Sequence, residues 1–225
     1  MGLAFFAQKP SLVGSKIVLG FSGGPDAAAL AYRLKCRGAD VIPIYINYRK
    51  MSGGGKTAKD LRAVGIVAKL LGLPVPTEIR VPLGNRPKSH RNRFFVKVLA
   101  SIAKKQGGSI VALGTIKEVV DKDESVSRAT INDLDPKLLS RHGNGYGVQV
   151  ITWDTLGVHN KADEFREVGA EARSALFQTT SCQMWWRLEC GNCHSCVSRH
   201  TAFMQAFGCD PTLYRQGSRV TKMFS

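Results

Sequence analysis

The sequence predicts an α/β fold: a parallel sheet with helices on both faces, followed by a small C-terminal helical subdomain. Three observations carry this expectation. Short apolar runs alternate with amphipathic stretches from residue 17 to residue 113, the pattern of repeated strand–helix–strand units. A glycine turn, Ser22-Gly23-Gly24, joins the first apolar run to a helix-forming run. Near the other end, Cys190-Gly-Asn-Cys193-His-Ser-Cys196 crowds three thiols together, with Cys182 shortly upstream. That cluster sets residues 176–225 apart from residues 1–175.

Ile17 to Phe21 reads as a buried strand and Ala27 to Lys35 as the helix that follows. The turn between them presents the backbone N–H groups of Ser22, Gly23 and Gly24 at the positive end of that helix, an arrangement that favours phosphate. Glycine there admits close approach and a positive φ. Val41 to Ile46 predicts the second strand. Lys56 to Leu71 predicts the second helix, with Leu61, Val64, Val67, Ala68 and Leu71 at helical spacing. Glu78 to Val81 is strand-like, and Arg93 to Lys104 is helical, with Phe94, Phe95, Val98, Leu99 and Ile102 predicted as its inner face. Ser109 to Leu113 predicts a fourth strand, ending at Gly114. Ligands of such sheets collect beyond the carboxyl ends of the strands, where the Ser22 loop, Asn47 and Gly114 would meet. Asp121 to Arg141 is polar and reads as irregular or helical, a mobile cover over the site. Val148 to Trp153 predicts another strand. Asn160 then caps a helix that opens Lys161-Ala-Asp163-Glu164, with acidic residues in its first turn.

The composition is that of a folded chain, with 44% apolar and 22% charged residues over 225 positions, enough for a full core. No apolar run reaches membrane-spanning length, and MGLAFFAQKPSLVG lacks the charged start of a secretion signal. A cytoplasmic protein with no membrane partner is expected. The net charge is +15. Positive residues gather at Arg86, Lys88, Arg91 and Arg93, at Arg33, Lys35 and Arg37, and at Arg215, Arg219 and Lys222. Such a field attracts anions: nucleotides, nucleic acid or an acidic protein partner. Charge alone does not choose among them.

The thiols carry the sharpest chemistry. Cys182, Cys190, Cys193 and Cys196 are spaced to surround one zinc ion tetrahedrally, and Gly191 suits the tight knuckle between ligands. Disulfides are the plain alternative, which a cytosolic composition disfavours. Iron–sulfur or catalytic use of the thiols is the other. His194 and His200 could each replace one thiol, while Cys36 and Cys209 have no spacing partner. A closed four-thiolate site leaves no position for water or substrate, so its expected task is to fold the C-terminal part.

Together the loop and the cysteine run resemble the 7-cyano-7-deazaguanine synthase (QueC) family of PP-loop ATP pyrophosphatases. Phe21 to Asp26, FSGGPD, is similar to the family's FSGGxDS. Arg91-Asn92 resembles its arginine–asparagine pair before a long helix, Gly114 its strand-ending glycine, and Lys161-Ala-Asp163 its DKAE segment. The carboxyl end is closest: Ser181-Cys182, CGNCHSC, Arg199, Ala202-Phe203, Gly208, Asp210-Pro211-Thr212 and Tyr214. The resemblance implies a PP-loop (adenine nucleotide alpha-hydrolase-like) ATP-binding domain over 1–175 and a zinc-binding subdomain over 176–225. It implies ATP and Mg2+ at Phe21, Ser22, Gly23, Gly24, Asp26, Ala27 and Gly114, and Zn2+ on the four cysteines. Asp26, Lys161 and Arg91 would act in catalysis. The implied reaction adenylates 7-carboxy-7-deazaguanine, a 7-deazapurine carboxylate, and ammonia turns the adenylate into an amide and then, with a second ATP, a nitrile. Many family members are dimers, so a homodimer is expected.

The chain departs from the family at three places. Ala27 replaces a serine hydroxyl of the loop. Tyr48-Arg-Lys-Met-Ser-Gly-Gly-Gly55 stands where the family has YGQRH. The family's YPDCR segment has no counterpart in Val119 to Arg128, although Asp121 and Asp123 lie there as candidates for substrate contact. QueC-like proteins that diverge in this way occur in antiviral-defence operons and DNA-modification systems, so attachment of a deazaguanine to a protein or nucleic-acid partner is a second expectation. A non-catalytic nucleotide-binding module is a third. Enzymes of tRNA thiolation and lysidine formation share the loop, but the closing CxxCxxC and DPTxY favour QueC.

Overall fold

Three consecutive side chains of β1 (Lys16–Gly20), Ile17, Val18 and Leu19, are fully buried. That requires partner strands on both sides and helices on both faces. The computed structural model describes residues 12–47, 54–81, 91–116, 135–182 and 188–223 and places β1 in that way. It pairs in parallel with β2 (Asp40–Asn47) and with β4 (Ile110–Leu113). β3 (Thr77–Arg80) extends the sheet beyond β2, and β5 (Gln149–Ile151) beyond β4, again in parallel. The order is β3-β2-β1-β4-β5. The predicted strands are all present, with ends shifted by one or two residues.

Alternation along β1 divides the core in two. Ile17 and Leu19 face α1 (Pro25–Cys36) and α2 (Gly54–Leu70). Val18 faces α3 (Arg91–Lys105) and α4 (Pro136–Gly145). Pro25 suits the first turn of α1 because it lacks an N–H that would have no partner there. Ala27, Ala28, Ala29 and Ala31 are buried along α1, and such short side chains let the helix lie close to the strands. The same effect corrects the expected inner face of α3. Its buried line is Asn92, Val96, Leu99, Ala100 and Ala103, while Phe94 and Phe95 are half-buried. A helix near the sheet turns its small residues inward and carries its aromatic rings on the flank.

Asp135 caps α4, accepting from the Lys137 amide at 2.8 Å. This helix lies within the polar stretch read as irregular or helical. The rest of that stretch, with Asp121 and Asp123, lies outside the described residues, as do the Tyr48 to Ser52 region, Arg86 and Lys88. After β5, α5 (Lys161–Arg166), α6 (Arg173–Phe177) and α7 (His194–Phe207) all pack on the α1 face, where Phe165, Leu176 and Phe203 join the same apolar cluster. The rings of Phe165 and Phe203 lie 4.8 Å apart. Among the described residues no helix is long and apolar enough to cross a membrane.

At the end of β4, Gly114 packs backbone to backbone against the first turn of α1. A methyl group there would stand 2.7 Å from the Ala27 amide nitrogen. Gly114→Ala should therefore cost about 1–3 kcal/mol, as overpacking does, seen as a lower urea midpoint. Gly145→Ala, where an added methyl meets nothing within 4 Å, should show no such loss.

Candidate functional site

The strand order reverses at β1, so the helices after β1 and β3 leave on opposite faces and open a crevice at the carboxyl ends of β1 and β4. The Ser22 loop fills the rim of that crevice. Phe21 is buried and its amide donates to the Ile44 carbonyl at 2.8 Å, which carries the ladder one residue past β1. Ser22 is exposed. Gly23 has a φ of +74°, the left-handed region that glycine enters without strain. Gly24 is the N-cap residue of α1 and supplies no side-chain cap. The first-turn amides of α1 are thus left to an external acceptor, at the end of the helix where the dipole favours negative charge. The glycine turn and the helix start expected here are both present.

Asp26, in that first turn, meets Lys161, the first residue of α5. The ammonium lies 3.0 Å from Oδ1 and 3.2 Å from Oδ2. Asn160 sets this geometry, because its side chain accepts from the Asp163 amide at 2.8 Å and starts the helix where the sequence placed it. The buried Trp153 donates its indole N–H to the Asp26 carbonyl at 3.1 Å. Behind them stands Glu164, fully buried, with neither carboxylate oxygen hydrogen-bonded among the described residues. Burial first, then the Asp26 carboxylate, push its pKa well above the ordinary 4.5, with Lys161 opposing. Glu164 is therefore held as the neutral acid, which removes most of the cost of burying it.

The remaining loop candidates have other surroundings. Ala27 is buried in the core of the α1 face, and Gly114 touches its backbone. Arg91 lies at the exposed start of α3 with its guanidinium over the Phe95 ring, 5.9 Å from the centroid. The structure thus brings Ser22, Gly23, Gly24, Asp26, Lys161 and Gly114 to one place. Arg91 stands at the same end of the sheet on the opposite face.

The four cysteines converge. The sulfurs of Cys182, Cys190, Cys193 and Cys196 all lie within 4.8 Å of one another. A tetrahedral ion with bonds of about 2.3 Å needs sulfurs about 3.8 Å apart, and Cys190 Sγ stands 3.8 Å from Cys196 Sγ. Gly191, at φ +68°, turns the knuckle so that the amides of Asn192 and Cys193 donate to Cys190 Sγ at 3.5 and 3.3 Å. These residues could hold a metal ion. A four-iron cubane would hold its thiolates farther apart than a single ion does.

Glu189 and its partner Lys59 escaped the sequence reading, while Arg199 and Asp210 entered it only as positions of the resemblance, without a role. Glu189, next to Cys190, is buried and accepts from the Thr180 hydroxyl and the Cys182 amide, each at 2.7 Å. Lys59 of α2 pairs with it at 2.8 Å. Arg199 is fully buried in α7 and donates to the Thr179 carbonyl at 2.8 Å and to the Thr212 hydroxyl at 3.0 Å. Asp210 ties the tail down by accepting from the Tyr214 hydroxyl at 2.7 Å and pairing with the buried His200.

Comparison with known proteins places this geometry. The family model described as "Queuosine biosynthesis protein QueC" matches residues 85–207, more than half of the chain. A 7-cyano-7-deazaguanine synthase of a Nitratiruptor species is 28% identical, over 89% of this chain and 99% of its own length. The 7-cyano-7-deazaguanine synthase 1 of Sulfurisphaera tokodaii is also 28% identical, over 88% of this chain and 98% of its own. Among solved structures, the U34-tRNA thiolase NcsA from Methanococcus maripaludis, with its [4Fe-4S] cluster, superposes with a TM-score of 0.52. At 15% identity, over 95% of this chain and 82% of that one, the likeness is one of fold. It agrees with the PP-loop sheet expected from the loop.

Glu164 gives a pH test. Its acidity is lower in the folded protein than in the unfolded chain, so its contribution to stability is full below about pH 4.5. That contribution is lost as pH rises through the folded value. Glu164→Gln keeps the shape without the proton. The variant should gain on the parent as pH rises from 4.5 to mildly alkaline values, read as diverging urea midpoints. Parallel midpoints would show that Glu164 does not hold its proton.

Proposed function

The chain belongs to the QueC family, and from that premise we propose that it is an ATP-dependent ligase acting on 7-carboxy-7-deazaguanine. It converts the carboxylate with ammonia to an amide or nitrile and releases AMP and pyrophosphate. One observation carries this reading. The glycine loop stands at the uncapped start of α1 in the switch-point crevice, with the Lys161 ammonium held on Asp26 beside it.

In the first step a carboxylate oxygen attacks the α-phosphorus of ATP and pyrophosphate leaves. Ammonia then attacks the acyl carbon, AMP departs with the C–O bond, and a proton passes to solvent. For the nitrile, the amide oxygen attacks the α-phosphorus of a second ATP and a second pyrophosphate leaves; loss of AMP and of the two N–H protons then forms the triple bond. The enzyme's share is positioning and charge. Amides of Ser22 to Gly24 and of the α1 first turn would cradle the phosphates. Lys161 would offset the charge on departing pyrophosphate, with Arg91 a second cation across the crevice. Asp26 Oδ1 is buried without a hydrogen bond among the described residues, so Asp26 could hold Mg2+, which would offset phosphate charge when bound. Ala27 offers no hydroxyl, so the loop works through backbone groups. Phe21 and Gly114 hold that backbone in place from below.

We assign zinc to the four cysteines, since their spacing and sulfur separations suit a single tetrahedral ion. Zinc with all four thiolates supplies structure rather than chemistry. In this reading residues 1–175 carry the nucleotide and residues 176–225 carry the metal.

Incubation with 7-carboxy-7-deazaguanine, ATP, Mg2+ and ammonia should yield AMP and the amide or nitrile by mass. Lys161→Met should lower kcat/KM by about 100-fold or more, the range for losing one group that stabilises charge in the transition state, with metal content unchanged. Tight ATP binding with no AMP would replace the ligase by a non-catalytic nucleotide module.

A further inference from the structure

Glu189 sits where three parts of the molecule meet. Oε1 accepts from the Thr180 hydroxyl at 2.7 Å and lies 2.8 Å from Lys59 Nζ on α2. Oε2 accepts from the Cys182 amide at 2.7 Å, and the Cys196 sulfur stands 3.6 Å from it. The Glu189 backbone is fixed as well, its amide donating to Leu213 and its carbonyl accepting from Arg215. Thr180 in turn donates its amide to the Gly23 carbonyl at 3.0 Å. Gly23 is clamped from the far side, where an added Cβ would stand 3.0 Å from the Val64 amide of α2. A short chain of hydrogen bonds therefore runs from the Cys182 segment of the cysteine cluster, through one buried carboxylate and one threonine, to the Gly23 peptide of the glycine loop.

We propose that Glu189 is a positioning residue that couples the four-cysteine metal centre to the phosphate loop, so that metal loading raises affinity for nucleotide. The inference rests on the reading that the Ser22–Gly24 loop takes ATP phosphates and that the cysteines hold zinc. An ion on the cysteines fixes Cys182 and Cys190. These fix the Glu189 carboxylate, and Thr180 then holds the Gly23 peptide in its anion-binding orientation. Without the ion the Cys182 and Cys190 segments are free to separate, and the last two links loosen with them. The metal centre is thus part of the nucleotide site, although no cysteine touches the nucleotide.

Linkage makes the coupling reciprocal: nucleotide must raise zinc affinity by the factor that zinc raises nucleotide affinity. The test measures zinc affinity by competition with a chromogenic chelator, with and without a non-hydrolysable ATP analogue and Mg2+. Analogue affinity is measured on the zinc-loaded and zinc-free full chain. The expected factor is about tenfold, within the usual range of coupling, and equal in both directions. In Glu189→Gln and in Thr180→Val it should fall toward one, with zinc still bound. Thr180→Val leaves Glu189 and its Cys182 bond in place, so it decides the matter if Glu189→Gln does not fold. A parent factor of one, or an unchanged factor in Thr180→Val, overturns the coupling while the nucleotide reading stands. No analogue binding to the zinc-loaded parent overturns both.

Discussion

The reversal of strand order at β1 is the constraint from which the rest follows. β1 is the strand whose two neighbours are followed by helices on opposite faces, so the chain cannot close the sheet end above it. That gap receives the start of α1. A helix start is electrically unfinished, with amides lacking intrahelical partners, and Gly24 supplies no side chain to finish it. Fold and open helix start are thus one arrangement. The Ala-rich face of α1 deepens it by letting the helix sit low on the strands, and Gly114 removes the last obstruction.

Around this gap the protein surrounds its carboxylates in three ways. Asp26 keeps a lysine on both oxygens. Glu189 gathers a lysine, a hydroxyl and an amide, and those partners outweigh the pull of burial and keep it ionised. Glu164 has no such partners, and it retains its proton instead. Whether a buried acid is charged is set here by its donors rather than by its depth. Two of the three lie directly at the loop, and the third reaches it through Thr180.

Much of this was legible in the chain. Alternating apolar runs located all five strands, FSGGPD located the loop, and the cysteine spacing located the thiol cluster, because each is a local pattern. Strand order is not local, and no residue run announces that β4 pairs with β1. Glu164 was read as a first-turn acid that complements the helix dipole, since such residues are ordinarily solvated. Tertiary packing of α5 against α1 and α7 buries it. Glu189 was hidden by its neighbours: next to Cys190 it looks like spacer, and its partners lie nine residues upstream and on a distant helix. Phe94 and Phe95 misled in the other direction. Size argued for the core, whereas proximity to the sheet selected alanine.

The indole of Trp153 is sealed from solvent and bonded to the carbonyl of Asp26, inside the first turn of α1. Its fluorescence therefore reads the electric field at the very peptide where an anion would dock. The molecule carries a built-in optical gauge of that docking, with no label needed, once Trp185 and Trp186 are replaced by phenylalanine.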